Sequence, residues 1–416
     1  MIDRRSLLGG GAAAVAAAAL PEAASAEIGR IPPTTKIAEA APITPAERTA
    51  RMAKVQRLMQ GANIGALLVE AGSSLRYFTG VNWWRSERTT AALIPAEGPV
   101  CVVTPFFEEP SIREMLDVPG EVRVWQEDES PSALIAGWLR ERRVAERPIA
   151  VEETTRYFII DGLQRALPGA RVTTGAELVN ACRMIKTAAE IALMQRASDI
   201  VIAAYRATAP KIARGMDGAD IFALMAAEIR RFGGQTPSGG VQINEGSALP
   251  HGSKERQLVR DGSVILMDCG CTVDGYHADI SRTMVFGAPD ARQRKLFADV
   301  RRGQDVAMAA ARIGRPAGSV DDAVRATYER LGYGPRYRLP GLSHRTGHGI
   351  GLDVHEPVNL VHGEATPLAG GMCFSNEPGL YVPGSYGVRI EDCFYMTERG
   401  PRYFSAPPPS LDDPFA

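Results

Sequence analysis

The sequence has little cysteine, and its cysteines form no metal-binding or disulfide pattern. Its 416 residues include six cysteines, none arranged as CxxC. A thiolate metal site and a small disulfide-rich scaffold are therefore both disfavoured. There is no basic surplus either, with 47 Lys and Arg against 48 Asp and Glu, so no nucleic-acid partner is expected. The Gly/Ala-rich apolar run at residues 9–20 is shorter than the ~20 residues of a bilayer span, so no stable membrane insertion is expected.

Histidine is sparse and unevenly distributed. None of the six histidines precedes His251, and the first half of the chain shows no metal-ligand spacing. We therefore expect the chemistry in the second half. A chain of 416 residues exceeds what one hydrophobic core normally supports, so two domains are expected. Hydrophobic and charged contents of 45% and 23% are those of an ordinary soluble globular protein.

Residues 1–26 have the composition of an export signal. Arg4 and Arg5 precede the Gly/Ala-rich run, and Ala24-Ser25-Ala26 offers a small-residue cleavage site. This order is similar to a twin-arginine signal, which predicts a periplasmic or secreted protein exported in folded form. An uncleaved leader is the alternative.

Residues 27–180 are predicted to form an α/β domain. Thr44, Pro45 and Glu47 mark the start of a first helix. Short apolar runs then alternate with helical patterns, which favours a compact α/β arrangement. The predicted strands are 66–69, 90–94, 100–103 and 149–151, and the next helices lie near 111–116 and 132–142.

Residues 181–416 are predicted to form an α+β domain, with helices packed on one face of a mostly antiparallel sheet. A fourth helix is expected to begin with an N-cap at 319–322 and to end at Gly332. The other predicted helices are 188–213, 217–232 and 291–313, and the predicted strands are 264–268, 280–286, 371–376 and 388–397.

Four carboxylates and one imidazole in this half have the composition of a metal site. They are Asp268, Asp279, His348, Glu377 and Glu391. An oxygen-rich set with one histidine suits Mn, Co or Zn. Two such ions held close together activate water and polarise a carbonyl, so the set predicts a two-metal hydrolase. Cys269 and Cys271 share the strand face opposite Asp268 and are interpreted as buried packing residues.

The spacing of the two aspartates constrains the local fold. Asp268 and Asp279 differ by 11 positions, an odd number, so in one flat strand they would face opposite sides. They reach one site only if residues 270–275 turn the chain back as a hairpin. His348 lies among Gly347, Gly349 and Gly351, where close backbone approach favours a ligand over a core histidine.

Five segments together resemble one known family. They are RMIKTAAEIALMQRA, MDCGCTVDGYHADISRT, GHGIGLDVHE, NEPG and GVRIEDC. In this order they are similar to the creatinase/prolidase/aminopeptidase P family. The resemblance implies a pita-bread catalytic domain preceded by a smaller creatinase-type N-terminal domain. It also implies that Asp268, Asp279, His348, Glu377 and Glu391 hold two divalent ions, with Mn the first expectation and Co or Zn possible alternatives.

The resemblance extends to residues that would act on the substrate. His251 resembles the family histidine near the scissile carbonyl, and His355, seven residues after His348, resembles the one that stabilises oxyanion charge. Glu377 would relay the proton of the attacking water to the leaving nitrogen. His344 is a candidate for the substrate pocket, with a packing role equally open. Arg389 would support a bridging glutamate and the substrate end, or serve as a plain salt bridge. His277 and His362 are assigned to structure or solvent.

The implied substrate is an Xaa-Pro bond, in a dipeptide or a longer peptide, with a slight preference for the aminopeptidase. The amide before proline lacks an N–H, so peptidases that need this donor fit it poorly. The resemblance also implies a homodimer or homotetramer. A metal-dependent lyase on the same fold and a non-catalytic binding protein on a peptidase scaffold are the alternatives, although the complete ligand set argues against the second.

Overall fold

A computed structural model describes residues 37–415, so the predicted export signal at 1–26 lies outside the described residues. The helices in this part of the chain are α1 (Pro45–Gly61), α2 (Ser73–Thr79), α3 (Glu109–Met115), α4 (Pro131–Glu141), α5 (Tyr157–Ala166), α6 (Ala176–Arg183), α7 (Ala188–Thr208), α8 (Gly218–Arg231), α9 (Ala291–Ala310) and α10 (Gly318–Arg330). No helix in this range is both long and apolar enough to cross a membrane.

The strands are short in the first half of the chain and include one long hairpin in the second. They are β1 (Ala66–Glu70), β2 (Ala91–Pro95), β3 (Val100–Pro105), β4 (Gly120–Trp125), β5 (Ile149–Val151), β6 (Val172–Thr174), β7 (Gln235–Ile243), β8 (Val264–Val273), β9 (Tyr276–Val285), β10 (Gly347–Gly349), β11 (Glu356–Leu360), β12 (Cys373–Asn376), β13 (Gly379–Tyr381), β14 (Gly387–Arg389), β15 (Asp392–Thr397) and β16 (Gly400–Tyr403).

The N-terminal half is built on one mixed sheet with helices on both faces. Its strand order is β4-β3-β2-β1-β5-β6. Because side chains alternate along a strand, β1 serves two cores: Leu67 and Val69 join the cluster that includes α1 and α2, and Leu68 joins the cluster with α4 and α5. The first helix begins as predicted, since the Thr44 side chain accepts from the Glu47 amide and the Glu47 side chain accepts from the Thr44 amide. The α/β expectation for this half is confirmed.

The strands of the C-terminal half all pair antiparallel, where a mostly antiparallel sheet was predicted, and they form three sheets. These have the orders β7-β8-β9, β11-β10-β12-β15-β16 and β13-β14. Helices α7 and α8 cover the first sheet, and α9 and α10 contribute to a second core with the five-stranded sheet. The α+β class is confirmed, and the expectation of a single helix-covered face is replaced by two helix pairs on separate sheets. The boundary near residue 180 stays a prediction.

Two local predictions were wrong. The fourth helix begins at Gly318, and Ser319 lies inside its first turn, where its hydroxyl donates to Pro316 O at 2.6 Å. Asp321 caps nothing, because its carboxylate accepts from the Thr346 amide and from Arg325. The strand predicted over 388–397 is interrupted between β14 and β15, which belong to different sheets.

The hairpin of β8 and β9 is braced by the N-terminal half. Asp274 and Gly275 at its tip have positive φ of 46° and 81°, the conformation of a type I′ turn. Arg76 of α2 reaches Asp274 Oδ1 at 2.6 Å. Arg51 of α1 donates to the Tyr276 hydroxyl at 3.0 Å, and that hydroxyl donates to Glu190 of α7 at 2.8 Å. The tip is therefore fixed by residues far away in sequence.

All six cysteines are free and buried. Cys269 and Cys271 belong to the core beneath α7 and α8, on the face of β8 that points away from Asp268. Burial raises the pKa of both thiols, which disfavours the thiolate that a metal would need. Their assignment as packing residues agrees with this placement.

Candidate metal centre

The β8–β9 hairpin brings the two aspartates to one face of the sheet. Asp268 pairs directly with Ser281, and Asp279 pairs with Gly270. Paired residues share a face, and Asp279 is two positions from Ser281, so both carboxylates point the same way. This is the chain reversal at 270–275 that the odd spacing required. Asp268 and Asp279 are thus diagonal neighbours on one face of the hairpin.

His348 of β10 offers one ring nitrogen to this group. Its Nδ1 lies 3.0 Å from Gly349 O, which makes Nδ1 the protonated nitrogen. Its Nε2 lies 3.3 Å from Glu377 Oε1 and 3.8 Å from Asp279 Oδ2. Burial lowers the pKa of His348 to about 3. The imidazole is therefore neutral, with a free lone pair directed at the carboxylates, as a metal ligand requires.

The two glutamates complete the cluster from irregular backbone. Glu377 follows β12, and its amide donates to Thr346 O at 2.9 Å. Glu391 lies between β14 and β15, and its amide donates to Ser281 O at 3.0 Å. The interruption of the predicted strand thus coincides with a side chain that turns into the site. Ser281 Oγ lies 2.7 Å from Glu391 Oε2 and 2.9 Å from Asp268 Oδ1, so it links the two carboxylates.

The donor set fits a divalent cation. One ligand atom each from Asp279, His348 and Glu391 lie within 4.8 Å of one another. Glu391 Oε1 is buried and has no hydrogen-bond partner among the described residues. Burial, followed by the charges of neighbouring carboxylates, raises the pKa values of Asp279 and Glu391 well above the usual range. A cation among these oxygens removes both the repulsion and the unmet polar atom.

The pKa of Glu377 is raised, as are those of Asp279 and Glu391. Burial, with the charge of Asp268 acting in the same direction and that of Arg389 opposing, raises the pKa of Glu377 to about 7. Its Oε1 lies 3.3 Å from the Ser375 hydroxyl, which can donate to it. All five predicted ligands therefore converge on one site, with Asp279, His348 and Glu391 as its tightest group.

Arg389 is held by the protein on several sides. Its Nη2 lies 2.6 Å from Asp268 Oδ2, and its Nε donates to Ser281 Oγ at 2.9 Å. Its Nη1 lies 3.3 Å from both Pro250 O and the Tyr381 hydroxyl. Arg389 thus connects the carboxylate cluster to the turn that carries His251. The ion pair with a ligand, one of the two roles expected for Arg389, is present.

The remaining histidines occupy different surroundings. His344 uses both ring nitrogens internally, with Nε2 2.7 Å from the Tyr381 hydroxyl and Nδ1 2.8 Å from Arg345 O. His251 is exposed on the turn after Pro250. His355 is exposed, and its ring meets His348 edge-on with centroids 4.3 Å apart. His362 lies at the surface near Asp322. His277 lies on β9, two residues before Asp279, and its amide donates to Gly351 O.

Sequence reasoning missed three side chains that organise the site. Ser281 connects Asp268 with Glu391, and Tyr381 connects His344 with Arg389. Arg282, next to Ser281, forms a fully buried ion pair with Asp392 at 2.7 Å and donates to Glu391 O at 2.9 Å. Ser281 was detectable, because a hairpin that pairs Asp268 with position 281 places that residue on the ligand face. No local pattern identifies Tyr381 or the Arg282 pair.

The chain matches two family models. Residues 51–185 match the Creatinase/Prolidase N-terminal domain, and residues 192–398 match Metallopeptidase family M24. The five clustered residues all lie in the second range.

Individual relatives cover nearly the same extent. An Xaa-Pro dipeptidase of Lactobacillus helveticus is 30% identical over 360 residues, 85% of this chain and 95% of the relative. The crystal structure of dipeptidase PepE from Mycobacterium ulcerans superimposes with a TM-score of 0.80 at 29% identity, covering 88% of this chain and 98% of that one. The X-Pro aminopeptidase of Thermotoga maritima MSB8 gives a TM-score of 0.77 at 26% identity, covering 86% of this chain and 98% of that one.

Proposed function

Because this chain belongs to metallopeptidase family M24 and is a metallo-exopeptidase, we propose that it uses two divalent ions to cleave the bond between an N-terminal residue and proline. The observation that carries the proposal is the convergence of Asp279, His348 and Glu391 within 4.8 Å. Glu377, 3.3 Å from His348, and Asp268, linked through Ser281, extend the set to five. We propose Mn as the first metal to test, with Co and Zn as alternatives.

The Xaa-Pro specificity rests on the names of relatives. The Lactobacillus protein is an Xaa-Pro dipeptidase and the Thermotoga protein an X-Pro aminopeptidase. The proline ring removes the amide donor that extended-strand peptidases use, so a site built for it gains selectivity. Two of the three relatives described above are dipeptidases, which gives no support to the expected preference for longer peptides. Both substrate lengths therefore belong in the test.

The roles of the residues follow from their surroundings. Bound divalent ions would supply Lewis acidity, activating water and polarising the peptide carbonyl. Asp268, Asp279, His348, Glu377 and Glu391 would hold them. Glu377 would also move the proton of the attacking water to the leaving nitrogen. His355 and His251, both exposed, would donate to the carbonyl oxygen as charge develops on it.

The test compares metal-free and metal-loaded protein. Chelated protein is reloaded with Mn, Co or Zn and given alanyl-proline, alanyl-prolyl-alanine and alanyl-alanine, with release of alanine followed by chromatography. We expect release only with metal and only from the proline substrates. Equal rates on alanyl-alanine would refute the specificity, and no release with any metal would refute the activity. Mass spectrometry of bound metal should give two ions per chain, and a single ion would refute the dinuclear site.

His355→Ala separates the role of this histidine from metal binding. The variant should keep its metal and lose on the order of 100-fold in kcat, because an oxyanion donor is removed. Unchanged turnover would contradict the assigned role. His362→Ala is the matched control, because His362 is a surface histidine near Asp322.

Export and assembly belong to the same proposal. Arg4, Arg5 and the small-residue site at 24–26 support export by a twin-arginine signal. Replacing both arginines with lysine should retain the protein in the cytoplasm, and N-terminal sequencing of exported protein should begin near residue 27. The homodimer or homotetramer implied by the resemblance is tested by light scattering of the purified protein.

A further inference from the structure

A cluster of four charged side chains ties the linker between the two halves to the segment that carries His355. We call it the linker anchor, and it consists of Arg183, Lys186, Asp353 and Glu356. Arg183 Nη2 lies 2.7 Å from Asp353 Oδ2 and 2.6 Å from Glu356 Oε1. Lys186 Nζ lies 2.9 Å from Glu356 Oε2. The two cations end α6 and begin the linker, and the two anions flank His355.

The anchor is closely packed and buried except at Asp353, whose side chain is 48% exposed. The side chains of Lys186 and Glu356 are 2% and 5% exposed. A Cβ atom on Gly351 would lie 2.8 Å from both carboxylate oxygens of Glu356 and 2.9 Å from Lys186 Cε. The backbone of the 351–356 segment therefore lies directly against the ion pair. Glu356 Oε1 also accepts from the Asp353 amide at 3.1 Å, which closes the segment on itself.

The N-terminal half extends the anchor. Ser73 Oγ, in the first turn of α2, lies 2.5 Å from Asp353 Oδ1. Arg183 Nη1 donates to Ser74 Oγ at 2.8 Å. The 351–356 segment is thus held from α2 on one side and from the linker on the other.

The imidazole of His355 has no comparable support of its own. Among the described residues it makes no hydrogen bond, and its ring contact is the edge-on meeting with His348. An exposed ring without hydrogen bonds takes its position from its backbone. The chain is anchored on both sides of His355, at Asp353 two residues before it and at Glu356 one residue after it.

We propose that the linker anchor is a positioning device for His355: Arg183 and Lys186, acting through Asp353 and Glu356, fix the backbone that presents the imidazole to the substrate carbonyl. This inference rests on the proposed function, in which His355 touches the substrate. Arg183 and Lys186 act on His355 through Asp353 and Glu356 and are therefore positioning residues. The N-terminal half therefore contributes to catalysis by holding a residue of the other half in place.

The test is a double-mutant cycle between the anchor and the residue it positions. Arg183→Met should lower kcat roughly 10- to 100-fold, because small misplacement of a catalytic group has effects of that size. KM should change less than kcat, and bound metal should stay at the wild-type level, because the ligand His348 is held separately by Gly349 and Ser375. In a His355→Ala background the same substitution should have almost no further effect.

A structural role gives a different pattern. If Arg183→Met only loosens the fold, its loss of kcat will be equally large with and without His355, and that result overturns the inference. An unchanged kcat also overturns it. Ser73→Ala supplies a milder perturbation that removes one bond to Asp353, and its smaller kcat loss should vanish in the same background. Arg183→Lys, which keeps the positive charge, should lose less of the rate than Arg183→Met.

Arg156→Met is the matched control. Arg156 pairs at 2.6 Å with Glu70, a buried carboxylate in the N-terminal half that lies outside the anchor. The kcat of Arg156→Met should equal that of the wild type. If kcat falls as much as in Arg183→Met, the loss of any ion pair in this half lowers the rate, and the inference is overturned. Metal-dependent cleavage of alanyl-proline by the wild type is measured first. If this cleavage is absent, the proposed function fails. If cleavage is present but Arg183→Met lowers kcat by the same factor with and without His355, only the inference fails.

Discussion

Replacing Glu356 with glutamine should destabilise the protein strongly, because it leaves the buried Lys186 without its anion and removes one of the two anions that contact Arg183. Burial raises the pKa of Glu356, but Lys186 and Arg183 outweigh this and lower it from 4.5 to about 2. A shift of that size corresponds to roughly 3 kcal/mol of favourable interaction in the folded state. Removing one partner of a buried pair typically costs about 3 to 5 kcal/mol. We therefore expect Glu356→Gln to lower the free energy of unfolding by about 3 kcal/mol at pH 7.

The interaction of Glu356 with Lys186 and Arg183 also predicts how the stability of the protein depends on pH. The folded pKa of Glu356 is lowered, so its stabilising contribution is fully present above the unfolded value of 4.5. It is lost as the pH falls toward about 2. The stability difference between wild type and Glu356→Gln should accordingly be constant from pH 7 to pH 5 and should shrink as the pH falls below 4.5. Both proteins are compared after metal removal, so that ligand protonation affects them equally.

Urea unfolding followed by tryptophan fluorescence and circular dichroism measures this difference. Glu228→Gln is the matched control, because Glu228 also accepts from two cations, Lys211 and Arg231, but these are 48% and 55% exposed. Water can solvate them, so that substitution should cost about 1 kcal/mol or less. Equal losses for the two variants would refute the reasoning, because burial of the cations would then be irrelevant. A difference that stays constant down to pH 2 would refute the assigned pKa.

Three further substitutions test the site and its scaffold. Glu391→Gln should abolish turnover and lower bound metal, measured by mass spectrometry, because it removes one of the three most tightly grouped ligands; retained metal and activity would contradict the ligand set. Ser281→Ala should weaken metal binding about 10- to 100-fold in a chelator competition, since Ser281 holds Asp268 and Glu391 in register. Gly239→Ala should reduce thermal stability, because φ is +111° and the new Cβ would lie 1.9 Å from Asp268 O; Gly240→Ala, with open space at Cβ, is its control.

The sequence predicted those parts of the site that local geometry controls. The odd spacing of Asp268 and Asp279 required a reversal, and Asp274-Gly275 is a favoured pair for the turn that the structure contains. The helix start at Thr44 was predictable for the same reason, because its capping partner is three residues away. In both cases the interacting groups are close in sequence.

Features that depend on distant partners were not predictable. A serine and two aspartates at 319–322 have the composition of an N-cap, but Asp321 is recruited by Thr346 and Arg325 and the helix begins earlier. The interruption of the 388–397 strand depends on Glu391, whose amide bonds to Ser281. The linker anchor joins residues about 170 positions apart in the chain. Charge pairing at that range leaves no periodicity in the sequence.

The tip of the β8–β9 hairpin depends on two side chains of the N-terminal half, Arg76 and Arg51. A fragment cut after the linker would leave Asp274 and Tyr276 without Arg76 and Arg51, and the turn that holds both aspartates in register would face solvent. Engineering that trims the first half to obtain a smaller enzyme would therefore damage the metal centre from its far end. Substitutions of Arg51 in α1 and of Arg76 in α2 are the ones to avoid, although neither helix contributes a ligand.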